Sequence, residues 1–197
     1  MSMSSSARTL APTLISLPAA WPRAVSSAAL VAIGVAFIGL SGQFSIRIPV
    51  TPVPITGQTL GVLLVGIAYG TRLGLAAGVA YAGAGAVGMP IFAGGASGLA
   101  TFTGPSAGYL IGFVPAMALV GALAEHGWDR RPATTVAAMV LGNIVIYAGG
   151  VLWLQTFVGW DRVLALGVLP FLLGDAIKIA IAAAALPLAW RLRGTRR

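Results

Sequence analysis

Apolar and polar positions along the chain segregate into long uncharged runs separated by short polar breaks. The runs predict helices over residues 23–42, 58–69, 72–87, 106–125, 133–158 and 166–190. A membrane-spanning helix needs about 20 apolar residues, and six such runs with their loops fill the chain. The second and third runs are short and are divided only by Gly70, Thr71 and Arg72. Pro115 predicts a kink in the fourth.

Two stretches break the pattern. QFSIRIPVTPVPITGQT, residues 43–59, holds Pro49, Pro52 and Pro54, which exclude helix and favour extended backbone. It is either a plain surface loop or a lid over a site. Residues 85–112 hold eight glycines, two prolines and no charge. Glycine inside a helix costs about 1 kcal/mol against alanine, and proline about 3. Non-helical backbone at membrane depth must be buried in protein or line a cavity, so this stretch is the first candidate for a binding site.

Composition agrees with the pattern. Of 197 residues, 58% are hydrophobic and 8% charged, with a mean hydropathy of +0.94. A soluble domain carries roughly 25% charged residues, so the chain reads as an all-α integral membrane protein. Residues 1–22 read as a mobile cytoplasmic leader, 23–190 as one transmembrane domain and 191–197 as a basic cytoplasmic tail. The net charge of +8 reflects topology rather than nucleic-acid binding. With both termini cytoplasmic, nine arginines lie inside (Arg8, Arg23, Arg72, Arg130, Arg131, Arg191, Arg193, Arg196, Arg197) and two outside (Arg47, Arg162), which obeys the positive-inside rule. This orientation puts the proline segment and the glycine-rich stretch on the same outer side. The absence of cysteine excludes disulfides, cysteine metal sites and a thiol nucleophile.

Asp175 and Lys178 are the only charges inside a predicted helix core. Three residues apart, they share a helix face. Each charge costs about 2.5–3.5 kcal/mol at a helix centre, so such residues pair and mark function. They are either a mutually neutralised structural pair or a polar contact for a ligand. The glycine-rich stretch supplies a complementary wall: Gly94, Gly95 and Gly98 allow close backbone approach, and Phe92, Phe102 and Tyr109 offer apolar or stacking surface. Asn143 is either interhelical glue or a ligand contact. His126 lies in a cytoplasmic loop, and alone it makes no metal site. The P-loop pattern is absent, so the chain cannot hydrolyse ATP by that route. A hydrolase is disfavoured too, because the single histidine is on the wrong side and Asp175 keeps Lys178 charged. On the first helix, Ala24, Ala28, Ala32 and Ala36 form a small-residue stripe, suited to internal packing or to docking of a separate membrane subunit.

VTPVPITGQT (50–59), GAVGMPIFAGGASGLATFTGPSAGYLIGF (85–113) and GDAIK (174–178) resemble the BioY family of biotin transporters, the substrate-binding S components of energy-coupling factor (ECF) transporters. The resemblance covers nearly all of residues 24–190. It implies a six-helix bundle of the ECF S-component type and a biotin site near the outer face. It also implies a partner T component and a pair of ABC-type ATPases that supply the energy. Carried onto this chain, it makes Asp175 and Lys178 polar biotin contacts, Phe92 to Tyr109 the wall, residues 51–59 the lid with Gln58 a further contact, and the alanine stripe the docking surface. Biotin is then a transported ligand, with no resident cofactor or metal. The alternatives are an S component for another vitamin and a self-sufficient biotin uptake protein.

Overall fold

The structure is a computed structural model that describes residues 9–11, 18 and 20–194, the side chains of 193 and 194 excepted. Helix α1 (Arg23–Gln43) leads into a two-residue antiparallel ladder, β1 (Ser45–Ile46) with β2 (Ile55–Thr56). Helix α2 (Gln58–Ala86) follows, then two 3₁₀ turns (Ala93–Gly95 and Leu99–Thr103) and α3 (Ala107–Glu125). A further 3₁₀ turn (Trp128–Arg130) precedes α4 (Pro132–Val158), α5 (Val163–Gly167) and α6 (Leu169–Gly194). Among the described residues, five spans are long and apolar enough to cross a membrane, with 163–192 counted as one. The chain is thus an all-α, multi-pass membrane protein, and the ladder only pins the ends of the proline segment.

Helix α2 joins the second and third predicted runs, and it is not straight. Gly70 has φ 77° and ψ 179°, a conformation that only glycine adopts readily. A Cβ built on Gly74 would lie 3.3 Å from Gly66 Cα. Eight residues along one straight helix are about 12 Å apart, so arms 58–69 and 71–86 fold back on each other. The bend is fastened by Glu125, whose Oε1 accepts the Thr71 N–H at 2.9 Å, the first free donor of the second arm.

Helix α3 packs between α2 and α4, with Ala116, Met117 and Val120 fully buried. It runs on through Pro115 as one element. Backbone contact replaces side chains at its two faces. A Cβ on Gly121 would lie 2.5 Å from the Gly70 carbonyl carbon, and one on Gly108 would lie 2.2 Å from the Gly149 oxygen. Lipid tails give no hydrophobic drive between helices, so such close approach supplies the packing energy. The sixth predicted run divides at Val168 (φ −127°, ψ −59°) into α5 and α6, with Pro170 in the first turn of α6, where its missing N–H costs nothing.

At the opposite end of α6, Trp190 Nε1 donates to Asp129 Oδ2 at 2.6 Å, and the Arg130 guanidinium lies 4.6 Å above the Trp190 ring. Burial pushes the Asp129 carboxyl up, against the opposing effect of the Trp190 bond and the Arg130 charge. Of residues 1–22, Thr9, Leu10 and Ala11 are buried, with Thr9 against Gly70. The remaining residues of 1–17, and residue 19, lie outside the described ones. The tail begins as helix, since α6 continues to Gly194, and 195–197 lie outside the described residues.

Candidate ligand-binding site

The proline segment, the glycine-rich stretch from Phe92 onward and helices α2, α3, α4 and α6 converge on a cavity of about 530 Å³. Small-molecule sites measure about 300–1,000 Å³. One corner of the cavity is polar. Lys178 Nζ lies 3.0 Å from Asp175 Oδ1 and donates to Thr59 Oγ1 at 2.7 Å. Thr59 Oγ1 also points toward Asp175 Oδ1, at 3.4 Å. Tyr147 Oη donates to the other carboxylate oxygen, Oδ2. The pair is well buried, with side-chain exposures of 15% for Lys178 and 6% for Asp175. Three helices therefore meet at one ion pair, and its groups lie on the cavity wall.

Much of the remaining lining is aromatic, and its rings rest on glycines. A Cβ on Gly85 would fall 2.0 Å from the Phe92 ring, so only glycine there admits that ring. Phe92 meets Tyr81 and Phe102 edge to face, at centroid distances of 5.5 and 5.6 Å. Tyr109 lies against Gly150, and its hydroxyl donates to the Gly167 oxygen at 2.7 Å. That hydroxyl fastens α5, and the ring forms the wall. Buried Gln58 starts α2 and donates through Nε2 to Tyr81 Oη, which donates to the Ile91 oxygen at 2.9 Å. The cavity floor is thereby tied to the glycine-rich stretch.

Above the cavity, residues 47–54 form an arch between β1 and β2. Within it Thr51 and Val53 are buried, and the Val53 N–H donates to Thr51 Oγ1 at 3.1 Å. Arg47 is exposed at the rim.

Five of the nine anticipated ligand residues thus line one cavity: Asp175, Lys178, Phe92, Tyr109 and Gln58. Gly94, Gly95 and Gly98 do not. They carry φ of 62°, 80° and 84° and shape the turns that carry Phe92, Ala93 and Ala96 to the wall. A Cβ on Gly98 would meet nothing within 4 Å, so its glycine is there for backbone conformation and not to admit a neighbour. Asn143 is buried one turn along α4 from Tyr147, off the wall. Thr59 and Tyr147 are additions. Tyr147 stands four residues from Asn143, a polar spacing on one apolar helix that was visible in the sequence; Thr59 carries no such signal.

The alanine stripe faces outward. Ala24, Ala28, Ala32 and Ala36 are all exposed, while Leu30, Gly34, Ile38, Gly39 and Gly42 form the buried face of α1. Its use in internal packing is excluded. Exposed His126 has Nδ1 2.8 Å from the Ala122 oxygen. Among the described residues, no cluster of His, Cys, Asp or Glu could hold a metal ion.

The fold and cavity define a membrane-embedded protein built to enclose a small amphipathic molecule. Residues 9–195 match the model of the BioY family, and the chain belongs to that family. It is 38% identical over 165 residues to a probable biotin transporter BioY of Pyrococcus horikoshii, covering 84% of this chain and 94% of that one. Against the biotin transporter BioY of Thermotoga maritima it is 37% identical over 139 residues, or 70% of this chain and 81% of that one. The crystal structure of the S-component for biotin from an ECF-type ABC transporter superposes with a TM-score of 0.73 at 26% identity, covering 89% of this chain and 95% of that one.

Proposed function

We propose that this chain is the biotin-binding S component of an ECF transporter, which captures biotin on the outer face and delivers it inward with separate energising subunits. The observation that carries this reading is the cavity's mixed lining. A carboxylate and an ammonium 3.0 Å apart share it with aromatic and aliphatic side chains. Biotin's ureido group donates and accepts hydrogen bonds, as that corner requires, and its fused bicycle is apolar. Asp175 and Lys178 are the polar contacts, and Phe92, Tyr109 and Gln58 complete the pocket. Thr59 and Tyr147 hold the ion pair in place. Gly94, Gly95 and Gly98 act through the loop they shape.

The bundle is read as six helices, with arms 58–69 and 71–86 counted separately and both termini cytoplasmic. The distribution of arginines, nine against two, supports that orientation. The exposed alanine stripe is assigned to docking of the T component, because small residues let a partner helix approach closely. ATPase subunits supply the energy.

Equilibrium binding of labelled biotin to the purified protein, with unlabelled vitamins as competitors, tests the reading. Biotin should compete and other vitamins should not. Asp175→Asn and Lys178→Ala should abolish binding in protein that remains folded, and binding retained in both would overturn the site.

A further inference from the structure

Ile91 precedes Phe92, which lines the cavity, but is not itself on the wall. It is held from two helices. A Cβ on Gly39 would lie 3.1 Å from Ile91 Cβ and 3.2 Å from its Cγ2, and one on Gly42 would lie 3.2 Å from the Ile91 oxygen. Carbon atoms meet best at about 3.5–4.0 Å. The missing side chains of Gly39 and Gly42 therefore leave a notch on the buried face of α1, and Ile91 is seated in it. From the second arm of α2, the Tyr81 hydroxyl donates to the Ile91 oxygen at 2.9 Å. The same hydroxyl accepts Gln58 Nε2, and a Cβ on Gly42 would lie 3.1 Å from that nitrogen. Among the described residues, α1 contributes none to the cavity lining, yet it packs against Gln58, which lines the cavity, and against the neighbour of Phe92. On either side of this seat the chain is open: a Cβ on Gly88 or on Gly98 would meet nothing within 4 Å.

We infer that Ile91 is a positioning residue for the ligand: seated in the α1 notch and bonded to Tyr81, it fixes where the Phe92 ring stands. That ring fits only because Gly85 leaves it room, and it meets Tyr81 edge to face at 5.5 Å. Tyr81 thus holds Phe92 twice, by its ring and through the Ile91 carbonyl. A shift at Ile91 passes directly to Phe92, because the two share a peptide bond. This gives Ile91 a role in affinity without contact with the ligand, and it rests on the biotin reading above. Its physical content is preorganisation. A ligand binds the fraction of molecules whose wall is in place, and its apparent Kd rises as that fraction falls. Releasing Ile91 lowers the fraction and leaves the bound contacts unchanged, so the association rate carries the loss.

The test measures Kd, kon and koff for labelled biotin on the purified full chain. Tyr81→Phe removes the hydroxyl, and Ile91→Ala empties the notch. Loss of one neutral hydrogen bond predicts binding about three- to tenfold weaker in Tyr81→Phe. The emptied notch predicts a loss of about tenfold or more in Ile91→Ala. In both, kon should fall by the same factor as the affinity, and koff should stay within about twofold of wild type. In a Phe92→Leu background, Tyr81→Phe should change Kd by less than about twofold, because the ring it positions is gone. A raised koff with kon unchanged would overturn the inference, since it marks a lost direct contact. So would an unchanged Kd in both variants while thermal stability falls, which is a structural role only. Persistence of the full Tyr81→Phe loss beside Phe92→Leu would also overturn it and place the effect at Gln58. If Ile91→Ala does not fold, Ile91→Val replaces it with an expected loss of about threefold, and the Tyr81→Phe outcomes stand. Wild-type protein that binds no biotin would count against the proposed function; wild type that binds while the variants keep its Kd would count against Ile91 alone.

Discussion

Thr59→Val is the most informative single change at the polar corner. The threonine hydroxyl accepts the Lys178 ammonium at 2.7 Å and is the link from α2 to the ion pair on α6. Valine keeps the shape and removes the acceptor. Two quantities should respond, and by different amounts. A hydrogen bond to a charged group is worth about 1.5–3 kcal/mol, and that is the expected loss of stability in the ligand-free protein. The ammonium keeps Asp175 at 3.0 Å, so the charge is not orphaned and the bundle still forms. Affinity should fall less, because only the direction of the ammonium is lost. Re-ordering one long side chain on binding costs about 0.5–1.5 kcal/mol, a factor of roughly 2 to 12 in Kd. Titration with labelled biotin and thermal unfolding of the same preparation measure both, with Thr59→Ser as the control that restores the acceptor. An affinity unchanged while stability falls would refute the idea that Thr59 aims the lysine. A loss beyond about a hundredfold would refute it from the other side, making Thr59 a direct contact.

Gly85→Ala should lower thermal stability by about 1–3 kcal/mol, the usual cost of an extra methyl in a packed site, because the Phe92 ring lies 2.0 Å from the new Cβ. Thermal unfolding checks this, and biotin titration should show a weaker pocket, since Phe92 forms its wall. Ala28→Leu with Ala32→Leu should leave biotin binding intact and reduce co-purification with a T component; unchanged co-purification would remove the stripe from the docking surface.

The helices were legible because the bilayer demands long uncharged runs, and the first five predicted ones lie within one or two residues of the observed α1 to α4. The sixth was read as one apolar run, and its Gly167 and Pro170, which suit a helix end and a helix start, were not used; the break falls at Val168, beside the Gly167 oxygen that accepts the Tyr109 hydroxyl. Asp175 and Lys178 stood out because a charge in an apolar helix is costly. Thr59 did not, because a threonine near a helix start is ordinary and only the fold brings it beside residue 178. The glycines were read as a backbone cradle, whereas their wall contribution is indirect. Gly85 admits a ring and Gly94, Gly95 and Gly98 turn the chain, and sequence alone does not separate those uses.

Among the described residues, the span 163–192, α5 with most of α6, is the least embedded: 11% of its apolar window is buried, against 61% for α3. In water such a helix would be pressed inward by its own apolar surface. In lipid that pressure vanishes, and the seat of α6 is left to directional bonds, chiefly Asp175 with Tyr147 near one end and Trp190 with Asp129 near the other. A ligand that draws on Asp175 and Lys178 therefore competes for the same fasteners that hold the helix in the bundle. Pocket and scaffold share these side chains, so a ligand bound through them would also bear on how firmly α6 is clamped.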